Sequence, residues 1–109
     1  MAEMYQFRDD NFEGEVLASA RPVLVDFTAV WCGPCRTLAP VVEKLNQEWA
    51  GAVKVGQLDI DQNMATTMKY GVMSVPTLIL FKGGRPVERL TGYMPRERIL
   101  ARLNGHLRP

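Results

Sequence analysis

Two cysteines, Cys32 and Cys35, stand three apart in Trp31-Cys32-Gly33-Pro34-Cys35 and are the only thiols in 109 residues. If a helix opens at Cys32, both fall on its first turn and on one face, with Cβ atoms roughly 5–6 Å apart. A disulfide needs about 3.5–4.5 Å, so a modest tightening closes the bond without rearranging a fold. The thiolate is the nucleophile of thiol–disulfide exchange, and the free N–H groups and dipole of a helix N-terminus stabilise its charge. Cys32, at the start, is the expected attacking sulfur; Cys35, one turn inside, is expected to be more buried and less acidic. Pro34 is tolerated because first-turn N–H groups lack helical partners anyway. Gly33 and Trp31 leave the sulfur approachable by another polypeptide.

Three other uses of the pair compete. As a staple it would achieve little, because so short a loop removes little unfolded-state entropy. A zinc site wants four ligands. The chain offers two cysteines and a lone histidine, His106, in its last helical segment, so no metal is expected and His106 reads as a solvated or capping residue. Two incidental thiols are the third possibility, which the surrounding Trp-Cys-Gly-Pro-Cys context disfavours.

Strands and helices must hold these sulfurs. Pro22–Thr28 is β-branched and apolar enough for a strand buried on both faces. Val53–Leu58 reads as a second strand, and Pro76–Phe81 as a third that begins at a proline. Lys82-Gly83-Gly84-Arg85 reads as a hairpin turn into Pro86–Gly92. Helical signals alternate with the strands. Asp10 with Glu13 resembles a capping box opening a helix through Ala18. From Pro34 onward, Leu38, Val41, Val42, Leu45 and Trp49 form one apolar stripe, with Pro40 expected to kink it. Gln62–Tyr70 reads as a shorter helix closed by Gly71, and Pro95 opens a last one with Ile99, Leu100, Leu103 and Leu107 inward. This alternation predicts an α/β protein, a three-layer α/β/α sandwich around a central mixed sheet.

The chain length fits one domain over 1–109, with no linker or repeat dividing it. A net charge of +1 with interspersed signs argues against a nucleic-acid footprint. The N-terminus lacks a cationic start followed by a long apolar run, and the apolar stretches are too short to span a bilayer. The expected address is the cytoplasm, where paired thiols are reactive more often than structural. No spare apolar stripe is visible, so a monomer is expected.

Several segments together resemble bacterial-type thioredoxins: Val25-Asp26-Phe27, Trp31-Cys32-Gly33-Pro34-Cys35, Ala39-Pro40, Leu58-Asp59-Ile60-Asp61-Gln62-Asn63, Lys69-Tyr70-Gly71-Val72, Val75-Pro76-Thr77 and Phe81-Lys82-Gly83-Gly84. They fall in that family's order and spacing from about Tyr5 to Leu107. The resemblance implies the thioredoxin fold and a protein-disulfide reductase in which Cys32 attacks and Cys35 resolves. It implies no bound cofactor, client proteins that carry disulfides, and electrons from an NADPH-dependent flavoprotein thioredoxin reductase. Gly-Pro between the cysteines resembles the reductants of the wider fold rather than its oxidases and isomerases.

Two further residues gain a role only through the resemblance. Asp26 lies in an apolar strand, and position alone leaves a buried, raised-pKa carboxyl and a solvated strand-end aspartate about even. The matching family residue sits behind the second cysteine, so Asp26 is expected to take its proton. X–Pro bonds are mostly trans, yet the matching family proline is cis, so Val75–Pro76 is expected to be cis and to offer main chain to a substrate strand. Trp31, Gly33, Pro34, Val75, Pro76 and Gly92 then make the apolar docking surface, although Gly92 alone reads only as a turn. The chain also departs from the family. Thr28 replaces a frequent tryptophan, Val30 an acid or proline, Ser74 a glycine, and Gln57 a lysine that neighbours the aspartate. Without that cation, Asp26 is expected to be harder to ionise. The rival from another class is a thiol-independent binding module using the same apolar surface; a disulfide oxidase is the rival among enzymes.

Overall fold

The computed structural model describes residues 4–108. Five strands form one mixed sheet in the order β1-β3-β2-β4-β5. β1 (Tyr5–Phe7), β2 (Val23–Thr28) and β3 (Lys54–Asp59) run parallel, and β4 (Thr77–Lys82) and β5 (Arg85–Thr91) add an antiparallel pair beside β2. The helix α1 (Gly33–Trp49) crosses from β2 to β3, α2 (Met64–Lys69) follows β3, and α3 (Arg96–Leu107) closes the chain. The α/β arrangement with a mixed central sheet is the one the sequence predicts.

The period-2 alternation of β2 divides the core between two faces. Leu24 faces a cluster with Leu38, Val42 and Leu45 of α1 and Ile99 and Leu103 of α3. Val23, Val25 and Phe27 face the opposite layer, where Phe12, Val16 and Val72 cover them. Asp26 has the parity of Leu24, so its side chain belongs to the α1 face. On β4 the same rule puts Leu78 and Leu80 toward α1 and Ile79 and Phe81 on the far side.

Two local expectations are corrected, and one strand is added. The Asp10–Glu13 capping box does not form. Asp10 pairs with Arg8 at 2.9 Å, while Asn11 Oδ1 accepts the Arg8 N–H at 2.7 Å. The helical turn is a π-turn over Glu13–Leu17, with Ala18 N–H donating to the Glu13 carbonyl at 2.9 Å. The helix expected over 62–70 starts two residues later because Asn63 bridges segments instead. Its Oδ1 accepts from Asp9 N–H at 2.9 Å and its amide donates to the Asp59 carbonyl at 3.0 Å. Asp9 then reaches across to hold the Thr66 N–H at 2.9 Å and hydroxyl at 2.6 Å. Finally, β1 carried no signal of its own in the sequence. It is three residues long and exists by pairing with Gly56, Gln57 and Leu58.

Candidate functional site

β2 ends at Thr28, a four-residue link follows, and α1 begins at Gly33. Cys32 is therefore the N-cap of α1 rather than its first residue, with extended backbone (φ −93°, ψ 112°). Its Sγ accepts the Cys35 N–H at 3.2 Å, one of the donors that a helix N-terminus leaves open. That donor is placed to hold charge on Cys32 sulfur once the pair is reduced. Here the two cysteines are joined by a disulfide, with Cα atoms 5.3 Å apart. Pro34 lies in the first turn as expected, and the helix continues through Pro40 to Trp49.

Burial corrects one expectation. Cys32 is 4% and Cys35 3% exposed, so Cys32 does not stand clear of its partner. Ala29, Ile60 and Val75 close around both sulfurs. What is exposed is the frame: Trp31, at 66%, with Gly33 and Pro34. Trp31 is held in place, its indole N–H donating to Asp61 Oδ2 at 2.8 Å. Asp61 is a residue that local pattern could not find, because the bond joins two loops thirty positions apart.

The segment facing the disulfide is Val75–Pro76, and its peptide bond is cis, the isomer the resemblance implies. Cys32 Sγ lies 3.7 Å from the Val75 carbonyl oxygen. Val75 is half-buried and Pro76 buried. The Pro76 carbonyl is occupied, accepting from Gly92 N–H at 2.8 Å. Gly92 has φ +88°, a conformation other residues rarely adopt, which brings its N–H around to that carbonyl. The structure thus gathers Trp31, Gly33, Pro34, Val75, Pro76 and Gly92 around the cysteine pair or its facing loop. The main chain still open beside the sulfur is that of Val75 rather than Pro76.

Asp26 is 1% exposed, and neither carboxylate oxygen closes a hydrogen bond of ordinary geometry. Burial is the main cause lifting its pKa from 3.8 to about 7, because the low-dielectric interior disfavours the charged form. The Gln57 amide, in register with Asp26 on β3, pulls the other way and offsets only part of the rise. The solvated strand-end alternative is thereby excluded. Among the described residues, no group of three or more His, Cys, Asp or Glu side chains could hold a metal ion. His106 is instead 3.1 Å from Glu88 Oε1. Among the described residues, too, no helix is long and apolar enough to cross a membrane.

A disulfide-bonded cysteine pair at the start of a helix, beside an exposed tryptophan and opposite a cis-proline loop, is the arrangement of a protein of thiol–disulfide exchange. Comparison with known proteins gives the family. The thioredoxin family model matches residues 3–105. Thioredoxin of Alicyclobacillus acidocaldarius subsp. acidocaldarius is 53% identical over 95 residues, covering 87% of this chain and 90% of the relative. Thioredoxin of Synechocystis sp. is 45% identical over 107 residues, covering 98% and 100%. Thioredoxin of Streptomyces clavuligerus is 51% identical over 92 residues, covering 84% and 85%. The chain belongs to the thioredoxin family. It is accordingly a thiol–disulfide oxidoreductase that reduces disulfides of client proteins.

Proposed function

We propose that this chain works as a single-domain cytoplasmic dithiol reductase whose Cys32 attacks, whose Cys35 resolves and whose Asp26 carries the resolving proton. The observation that bears most on this reading is Asp26 itself: a sealed carboxyl, on the α1 face of β2, with pKa near 7. A carboxyl poised near ambient pH suits proton transfer, whereas an ordinary aspartate would be too weak a base.

The cycle has two exchanges. Cys32 thiolate attacks one sulfur of a client disulfide; a Cys32–client bond forms and the other client sulfur leaves as thiolate. Cys35 then passes its proton to ionised Asp26 while its sulfur attacks Cys32 Sγ. The mixed disulfide breaks, the second client sulfur leaves, and the Cys32–Cys35 bond forms. Two electrons have moved from the dithiol to the client, and both client thiolates take protons from water. A client strand aligns along Val75, beside Cys32 Sγ, with Trp31, Gly33, Pro34, Pro76 and Gly92 forming the apolar floor. The oxidised pair is reset by an NADPH-dependent flavoprotein thioredoxin reductase, and the chain holds no cofactor of its own.

Two reactions test this. Cys35→Ser should leave a mixed disulfide between Cys32 and a client that denaturing non-reducing gels resolve and dithiothreitol releases. With a bacterial thioredoxin reductase and insulin, wild type should sustain NADPH oxidation followed by the loss of nicotinamide absorbance. No mixed disulfide with Cys35→Ser while Cys32→Ser traps the client instead, or no NADPH turnover, would contradict the assignments.

A further inference from the structure

The methionines of the described residues divide by burial. Met4 and Met94 pack against the core cluster that holds Leu38 and Ile99. Met64, Met68 and Met73 stand in water, at 62%, 74% and 96% exposure. Met64 and Met68 lie four apart on α2 and so share its outer face. Met73 follows on the loop between α2 and β4 that carries Val75 and Pro76. A side chain so exposed removes almost no apolar surface from water, so altering it leaves the core intact. Its backbone, by contrast, is pinned on both sides. Val72 is buried and its N–H donates to the Thr67 carbonyl at 3.0 Å, and the Ser74 carbonyl accepts the Thr77 hydroxyl at 2.8 Å. Two residues beyond Met73, the Val75 carbonyl oxygen lies 3.7 Å from Cys32 Sγ. A free thioether is thus carried on a fixed loop at the margin of the redox disulfide.

We infer that Met73 is a modification site, a thioether that hydrogen peroxide converts to the sulfoxide, and that this change slows reduction of protein clients while sparing small disulfides. The sulfur attacks one peroxide oxygen: the O–O bond breaks, an S–O bond forms, and the other oxygen leaves as water with both hydrogens. Sulfur gives up two electrons and the peroxide takes them. A methionine sulfoxide reductase reverses the step, drawing two electrons from a dithiol and releasing the oxygen as water. While the chain is in its disulfide form it has no free thiol to compete for the oxidant, which leaves the exposed thioethers to react.

Oxidation replaces a flexible apolar side chain by a polar, chiral one with a strong acceptor oxygen. A client strand lying along Val75 covers the neighbouring residue 73 and must strip water from that oxygen without giving it a partner. The thioether imposes no such cost. This consequence rests on the docking of clients along Val75 proposed above. A small disulfide reaches Cys32 without covering residue 73, so its reduction does not feel the change. Exposure also sets the order of attack among the methionines: Met73 first, then Met68 and Met64, with Met4 and Met94 protected by the core they pack against.

The test treats the disulfide forms of wild type and Met73→Leu with hydrogen peroxide, followed by catalase. Dithiothreitol then reduces the cysteine pair, the protein is desalted, and peptide mass spectrometry locates the sulfoxides. Met73 should be oxidised ahead of the other methionines. The rate constant for single-turnover reduction of insulin should fall about threefold or more in treated wild type. Treated Met73→Leu should keep the rate of its own untreated form. With the small aromatic disulfide dithiobis-nitrobenzoate, treated and untreated wild type should react alike, and methionine sulfoxide reductase should restore the insulin rate. Met73 left as thioether while Met64 or Met68 oxidises, or an equal loss in Met73→Leu, overturns the assignment. So does a complete Met73 sulfoxide with an unchanged insulin rate, and Val75→Asp then decides what else falls. If Val75→Asp slows insulin and spares the small disulfide, docking along Val75 stands without the oxidation switch. If it does not slow insulin selectively, both fall.

Discussion

Replacing Asp26 by asparagine should remove most of the pH dependence of folding stability between about pH 4 and about pH 7. Burial raises the native pKa of this carboxyl from 3.8 to about 7. In the unfolded chain it returns to its ordinary value, so across that window the native state holds a proton that the unfolded state has lost. Stability therefore falls as pH rises, at about 1.36 kcal/mol per unit for this one group. Over a rise of roughly 3 units the loss comes to about 4 kcal/mol. It is absent below about pH 4, where both states are protonated, and complete above about pH 7, where both are ionised. Asparagine has nearly the same shape and does not ionise. Urea unfolding of the oxidised proteins, in which the cysteines do not titrate, gives the measurement. Wild type should lose several kcal/mol relative to Asp26→Asn on going from about pH 4 to about pH 8, a large share of a typical domain stability of about 5–15 kcal/mol. Stability curves that run parallel at all pH values would refute the buried, uncompensated carboxyl.

Three other perturbations follow from named contacts. Gln57→Lys places a cation in register with Asp26 and should lower its NMR titration midpoint; an unmoved midpoint contradicts the account of Gln57 as a weak, neutral neighbour. Gly56→Ala should destabilise the sheet by about 1–3 kcal/mol in urea titrations. A Cβ there would come within 2.5 Å of Phe7 Cε2 and 2.6 Å of the Tyr5 carbonyl, so β1 must move; an unchanged midpoint would show that it does so freely. Leu38→Ala, one turn beyond Cys35 and fully buried, should cost about 2–5 kcal/mol, and a loss under about 1 kcal/mol would mean that the α1 face is not close-packed.

Strands β2 and β4 are readable because they are largely apolar runs buried on both faces, a signal that needs no partner to be seen. α1 was readable from its stripe, and Cys32 and Cys35 from their spacing and from Pro34 at the helix start. The residues that resisted are those defined by distant partners. Asn63 and Asp9 look like ordinary loop residues until they join the segment after β1 to the start of α2. Asp61 acquires a role only by taking the Trp31 indole N–H. Position could not decide whether Asp26 was sealed or solvated, since strand parity aims it at α1 without saying how tightly α1 packs. Pro76 reads as trans from base preference, and only likeness to a family pointed to cis. The equal burial of Cys32 and Cys35 depends on Ala29, Ile60 and Val75 converging from three segments, which spacing along one helix turn cannot convey.

The reductase reading depends most directly on Cys32 as nucleophile. The deciding measurement is the initial rate of insulin disulfide reduction by dithiothreitol, followed by turbidity, with wild-type protein and with Cys32→Ser. A marked acceleration by wild type that disappears in Cys32→Ser is the predicted result. Equal rates with both proteins folded would contradict it, and leave a binding surface around Trp31 and Val75 as the better account of this chain.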